Sequence, residues 1–287
     1  MAISQQNVVG KNVTSGTTCS PTPTSTTGSC PIAVGVMWAG SASVSGITDN
    51  KGGGSNTYTA VASTHGQSSA GGNHGQIWQC ANAGGGVTSL TITMSATISL
   101  LAVSVYELSG GATSSNIDTS NNASSAGANP VVGPALTTTT ANCWILFVAT
   151  PSSPWSSFTA PYTQLPSDAA FATMNGCISC YHNTTGTVSS EAASVTCTSS
   201  ATWGGGAAAF KPAAAGGRIL PFHWDSVSGG MQNLGGGMQA LTIYRNQAAK
   251  DAANSAEMDM RRSQSGLYLP AYMTQGLLNS HGTRITQ

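Results

Sequence analysis

Leu90-Thr91-Ile92-Thr93-Met94-Ser95 alternates apolar and polar side chains without a break. Successive side chains of a strand point to opposite faces, so this stretch reads as a half-buried β-strand with Leu90, Ile92 and Met94 on its covered side. Ten residues on, Leu100 to Tyr106 is a more continuously apolar run and reads as a deeper strand. Further out, Ile32 to Trp38 and Cys143 to Ala149 have the same character, and the latter fits a central strand. The segments Asn56 to Ala62, Gln76 to Ala81 and Ala207 to Phe210 add to the set, with Trp203 nearby. Weaker candidates lie at Tyr162 to Leu165, Ala170 to Met174, Cys177 to His182 and Val195 to Cys197. The cluster Asp49-Asn50-Lys51 with Gly52 to Gly54 marks a turn, and the polar stretch from Gly110 to Asn129 reads as a long loop. Short strands, frequent turns and no helical period predict an all-β fold. The expected body is an antiparallel β-sandwich of jelly-roll or immunoglobulin-like kind over residues 31–212.

The flanks differ from this body. Residues 1–30 are rich in Pro, Thr and Ser between Cys19 and Cys30, which excludes a helix and predicts an extended N-terminal arm. Residues 213–287 predict a C-terminal docking extension. Gln247 to Gln264 is free of Gly and Pro and rich in Ala, Met, Arg and Glu, so a helix is expected near 247–264. Glu257 and Arg261 stand four apart in the favourable order, and Gly266 and Pro270 would end the helix. Ala249, Ala252, Ala253, Ala256 and Met260 form a small-residue stripe which, with Arg261 and Arg262, is the candidate interface. Such a stripe buries little area, so this helix would need a partner surface.

Charge is scarce. Nine Lys+Arg and nine Asp+Glu in 287 residues make 6% charged residues, against about 25% in an ordinary domain. Ten of the charged positions lie beyond residue 212, from Arg218 to Arg284, so the body and arm are close to neutral. A chain of this kind cannot rely on charge repulsion to stay monomeric. No basic patch points to nucleic acid. No apolar run is long enough for a transmembrane helix. The first residues, Met1 to Gln6, have neither a basic nor an apolar region, so no signal peptide is expected.

Catalytic and metal-binding patterns are weak. Seven cysteines invite a disulfide among Cys19, Cys30, Cys177, Cys180 and Cys197, with at least one thiol left over. Cys177-Ile178-Ser179-Cys180, with His182 and Cys197 near in sequence, has zinc-ligand residue types. In a strand, however, the two cysteines of that motif face opposite ways, and no second Cys-x-x-Cys exists, so no metal is expected. The histidines at 65, 74, 182, 223 and 281 are scattered, and no catalytic triad can be argued from them. Glu107 and Glu191 are the only glutamates in the body, too few for a glycosidase pair, and Glu107 is expected to be structural. Asp49 with its glycines lacks the acidic spacing of a calcium loop. Gly84 to Gly86 and Gly235 to Gly237 lack the Gly-Lys-Ser/Thr of a phosphate loop. No cofactor is expected. Trp155, Tyr162 and Trp224 could line a glycan site.

The order of motifs resembles a β-sandwich module of bacterial surface proteins and tailed-phage virion structural proteins. It runs Asp49-Asn50 then Asn56-Thr57-Tyr58-Thr59; Ile77-Trp78-Gln79-Cys80-Ala81-Asn82-Ala83-Gly84-Gly85-Gly86; Leu90 to Met94; Val103-Ser104-Val105-Tyr106-Glu107-Leu108-Ser109-Gly110; Trp144 to Val148; and Ala207-Ala208-Ala209-Phe210-Lys211-Pro212. In that module an Asp-x-x-Gly-Asn-Thr-Tyr-Thr hairpin opens the domain and an Ala-Phe-x-Pro strand closes it. The long 110–129 segment and the cysteines depart from the pattern. The resemblance implies a non-enzymatic structural protein of a phage particle: a decoration, fibre, collar or tail component. Its expected partners are copies of itself and other virion proteins, and its expected location is the virion. The alternative is a carbohydrate- or cell-surface-binding module that meets a host glycan through exposed aromatic rings.

Overall fold

The computed structural model describes residues 2–51, 56–69, 72–164 and 176–214, together with the backbone of 230–233, 239–243 and 259–261. Among the described residues every element is a strand, and every pairing is antiparallel. The chain divides into two compact units, Met1–Ala214 and Ala215–Gln287.

The first unit holds two sandwiches where a single one was expected. The first sandwich contains β1 (Ser4–Val13), β2 (Gly16–Cys19), β3 (Cys30–Ala39), β4 (Val44–Asp49), β5 (Thr59–Ala60), β6 (Gly66–Gln67), β7 (Asn73–Ala83), β8 (Leu90–Ile98) and β9 (Leu100–Ser109). Its large sheet runs β1-β9-β3-β7-β5, with β6 also on β7, and its small sheet runs β2-β8-β4. The second contains β10 (Ile117–Ala128), β11 (Val131–Val132), β12 (Trp144–Pro151), β13 (Trp155–Phe158), β14 (Thr163–Gln164), β15 (Ile178–Asn183), β16 (Ser194–Cys197) and β17 (Ala201–Phe210). Its sheets run β10-β17-β12-β15-β14 and β11-β16-β13. Once the short β6 is set aside, the strand order of the two halves is the same. Each half wraps its first, eighth, third, sixth and fifth strands into one sheet and its second, seventh and fourth into the other.

Three cores make this a stack of four layers. Ile32, Val34, Val36 and Trp38 of β3 meet Ile47, Leu90, Ile92 and Met94 of the small sheet in the first core. Ala33 and Met37, on the other face of β3, join Tyr106, Trp144, Leu146, Val148 and Phe210 in a second core between the two large sheets. Ile145, Phe147 and Ala149, on the far face of β12, meet Val131, Val195 and Cys197 in the third. The apolar runs at Ile32–Trp38 and Cys143–Ala149 are therefore continuous because both faces of each strand are covered. Leu90 to Ser95 alternates because β8 has only one covered face.

Two glycine-rich stretches set how closely the large sheets approach. A Cβ at Gly204 would stand 2.6 Å from the Gln67 Cα, and one at Gly75 would stand 2.9 Å from the Gly205 Cα. One at Gly206 would run into the Thr64 carbonyl. Only glycine lets the β17 backbone lie against residues 64–68 of the other half. Buried polar groups in this middle layer bond to one another. The Tyr106 and Ser179 hydroxyls lie 2.8 Å apart, and the Ser179 hydroxyl donates to Ser104 Oγ at 2.9 Å.

Three expectations are corrected. Residues 1–30 do not form an arm: β1 pairs with β9 from Ser4↔Ser109 to Val13↔Leu101, and β2 pairs with β8. The polar stretch 110–129 contains the long strand β10, paired with β17. Its Asn, Ser, Ala and Gly residues resemble a loop because β10 lies at the edge of its sheet, where little of it needs to be apolar. In the second unit β18 (Gly230–Asn233), β19 (Gln239–Ile243) and β20 (Asp259–Arg261) form a three-stranded sheet with β19 in the middle. Within the stretch 247–264 where a helix is expected, residues 259–261 are a strand paired with β19 through Leu241↔Arg261. The rest of that stretch lies outside the described residues.

Candidate functional site

Four clusters stand out among the described residues, and two of them share a sequence pattern, although their carboxylates come from different strands, Glu107 in β9 and Asp118 in β10. Thr26-Thr27-Gly28-Ser29-Cys30 leads into β3, and Thr139-Thr140-Ala141-Asn142-Cys143 leads into β12. In both runs the residue before the cysteine has left-handed backbone, Ser29 at φ 55° and Asn142 at φ 60°. In both a carboxylate holds the run: Glu107 holds Thr27 and Gly28, and Asp118 holds both threonines. The Thr27 backbone N–H and hydroxyl each donate to Glu107 at 2.6 Å, Gly28 N–H donates at 3.2 Å, and the Asn7 amide donates as well. The Thr139 N–H and hydroxyl donate to Asp118 at 2.6 and 2.8 Å, and the Thr140 hydroxyl donates at 2.7 Å. Burial opposes ionisation of both acids, but these donors outweigh it and hold each below its ordinary pKa. Glu107 is only 1% exposed.

Asp49 heads the third cluster. It accepts hydrogen bonds from the Asn56 amide at 2.6 Å, the Tyr58 hydroxyl at 3.0 Å and the Lys51 N–H at 3.0 Å. Asn56 in turn accepts from Gly84 N–H at 2.7 Å. The Asp, Asn and Tyr quoted above thus converge on one turn and tie it to the β7–β8 connection. Burial, and then the neighbouring Asp49 charge, raise the Tyr58 pKa.

The fourth cluster is a row of rings from β3, β7 and the residue just before β6. His74 stacks on Trp38 with centroids 4.7 Å apart and planes 1° from parallel. His65 stacks on both, and its Nε2 lies 3.2 Å from His74 Nδ1. Trp38 Nε1–H donates to the Ala42 carbonyl at 2.7 Å. Sequence reading treated these histidines as scattered. Their only sequence signal is that the cross-strand register Trp38↔His74 and Gln67↔His74 brings the three strands side by side.

The remaining predicted residues separate. The expected disulfides are absent: all seven cysteines are free and buried. Cys19 lies in the first core, Cys177 in the second, and Cys180 and Cys197 in the third. Cys177 and Cys180 therefore occupy opposite faces of one sheet, while the Cys30 thiol approaches Glu107 at 3.4 Å. Burial pushes the thiol pKa up to about 11 at Cys19 and about 12 at Cys177. At Cys30 burial, then the Glu107 charge, pushes it to about 12. These are small core residues carrying inert thiols.

Of the candidate glycan residues, Trp155 packs on Phe158 at 4.7 Å, and both face the third core. Tyr162 is buried at 7% exposure beside His182, whose Nδ1 lies 3.3 Å from Glu191. Val132 is the one large apolar side chain that is exposed among the described residues. Trp224 lies outside them, as do Ala249, Ala252, Ala253, Ala256 and Arg262. Met260 and Arg261 fall in β20. No group of three metal-ligating side chains occurs among the described residues. Comparison with known proteins found no match to any family model, curated protein or solved structure.

Proposed function

We propose that this chain is a non-enzymatic structural protein of a phage particle, a decoration, fibre, collar or tail component that works through self-assembly and docking. The observation that carries this reading is the use of its carboxylates. Asp49, Glu107 and Asp118 each fix a loop of their own sandwich, and Glu191 pairs with His182. Charges are few in residues 1–212, and these four carboxylates are bonded within the chain, which leaves much of the described surface to Ser, Thr, Asn and Gly. Such a surface suits close contact with neutral neighbours.

The strand order supports the same reading. First, eighth, third and sixth strands facing second, seventh and fourth is the jelly-roll wrapping, an architecture used by capsid and lectin domains. Architecture alone does not assign a role. It does leave the outer faces of two three-stranded sheets, β2-β8-β4 and β11-β16-β13, as surfaces for contact with copies of the chain and with other virion proteins.

Size-exclusion chromatography with light scattering on the full chain tests the reading. The expected result is a species whose mass is a multiple of 28.8 kDa. A monomer that persists as concentration rises through the range of particle assembly overturns it.

A further inference from the structure

We infer that the outer edge of β10 is a self-association site, where a second copy of this chain adds its own β10 antiparallel and fuses two five-stranded sheets into one. The inference rests on the assembly reading above and names the surface that carries it. Ser152 N–H donates to the Thr202 carbonyl at 2.9 Å, in line with the β12–β17 register. Even-numbered residues of β12 and β17 therefore bond to each other, and odd-numbered residues of β17 bond to β10. On β10, Thr119, Asn121, Ala123 and Ser125 turn their backbone groups toward β17, while Ser120, Asn122 and Ser124 turn theirs away. No strand among the described residues pairs with that outer side. Asn122 N–H bonds instead to the side chain of its neighbour Asn121 at 2.9 Å, and Asn122 and Ser124 are both exposed.

Long edges are ordinarily guarded by bulges, lysines or prolines. β1, the other long edge, has a register shift between Gln6 and Val9, left-handed backbone at Asn7 and an exposed Lys11. β10 has an unbroken register from Thr119 to Ser125 and contains no Lys, Arg or Pro. Its one charge, Asp118, is bonded to Thr139 and Thr140. No other edge strand among the described residues is longer than the six residues of β4.

A second copy suits this edge because two such strands meet without like charges. With a two-fold axis at Asn122, that residue faces its own counterpart and Ser120 faces Ser124. Each pair then brings outward N–H and C=O groups together, between side chains no larger than Asn. The contact uses the same patch on both chains and the other long edge is guarded, so association closes at two.

Light scattering on the full chain over a concentration series tests the site. The expected species is a dimer of 28.8 kDa chains. Ser124→Pro removes an outward N–H that β17 does not use, and Asn122→Lys sets two lysines opposite each other across the axis. Each should raise the dimer Kd at least about tenfold while circular dichroism still shows a folded chain. Ser45→Lys, at an exposed position of β4, should leave it unchanged. In hydrogen exchange on the parent chain, the Ser124 amide should gain protection as concentration rises. A dimer that persists in folded S124P and N122K, one that weakens equally in S45K, or a Ser124 amide indifferent to concentration overturns this inference and leaves the assembly reading standing. A parent chain that stays monomeric overturns both.

Discussion

Glu107→Gln isolates what one buried carboxylate contributes. The ionised side chain, itself 1% exposed, accepts from the Thr27 N–H and hydroxyl at 2.6 Å, from Gly28 N–H at 3.2 Å and from the Asn7 amide. The substitution keeps the shape, but one accepting oxygen becomes an NH₂ that faces donors. Hydrogen bonds to a charged group contribute roughly 1.5–3 kcal/mol, and a buried donor left without an acceptor costs about 1–3 kcal/mol. These values overlap within one network, so a loss of about 3 kcal/mol is expected. For a domain of this size that lowers Tm by about 6–12 °C, read by circular dichroism near neutral pH. The pH dependence gives a second check. The Glu107 pKa is depressed in the folded chain. Its contribution is therefore complete above the unfolded carboxylate value and is lost as pH falls through the lower folded one. The gap between parent and E107Q should then close in acid. A Tm within about 2 °C of the parent near neutral pH, or a gap that does not change with acidity, refutes the charged-clamp argument.

Two other perturbations probe the packing. Gly206→Ala drives a methyl group into the Thr64 carbonyl and should cost about 3 kcal/mol in chemical denaturation, whereas Gly46→Ala, with nothing within 4 Å, should stay within about 0.5 kcal/mol. A thiol reagent should label none of the seven cysteines rapidly in the native chain and all seven after unfolding, and reductant should leave electrophoretic mobility unchanged.

The strands with the strongest local pattern could be read directly. Leu90, Ile92 and Met94 alternate with Thr91, Thr93 and Ser95, and β8 buries that apolar side. The run from Trp144 to Ala149 is apolar throughout, and β12 is covered on both faces. The edge strands could not be read. β1 and β10 have no fully buried residue, so Ser4–Val13 and Ile117–Ala128 carry little apolar signal. Their pairing depends on partners far along the chain, Leu101–Ser109 and Ala201–Phe210.

The duplication was hidden for a related reason. A jelly-roll strand needs only the right polarity at each position, and the halves meet that need with different residues, such as Cys30–Ala39 against Trp144–Pro151. What persists is Thr-Thr-x-x-Cys, because a left-handed residue and a carboxylate clamp restrict which side chains fit. That repeat was visible in the sequence and was the signal for two sandwiches. The ring row was not visible, since His65 stands just before β6 and His74 in β7, and only the pairing of β6 with β7 brings them near each other.

The fusion of the two sandwiches through their large sheets also governs directionality. Two separate copies of one such half, joined back to back, would form a symmetric pair with identical ends. Joined in a single chain, the ends diverge: Val44–Asp49 with Leu90–Ile98 at one, and Trp155–Phe158 with Ser194–Cys197 at the other. A block with unlike ends can be stacked head to tail, so this chain carries a polarity that a symmetric dimer of one half lacks.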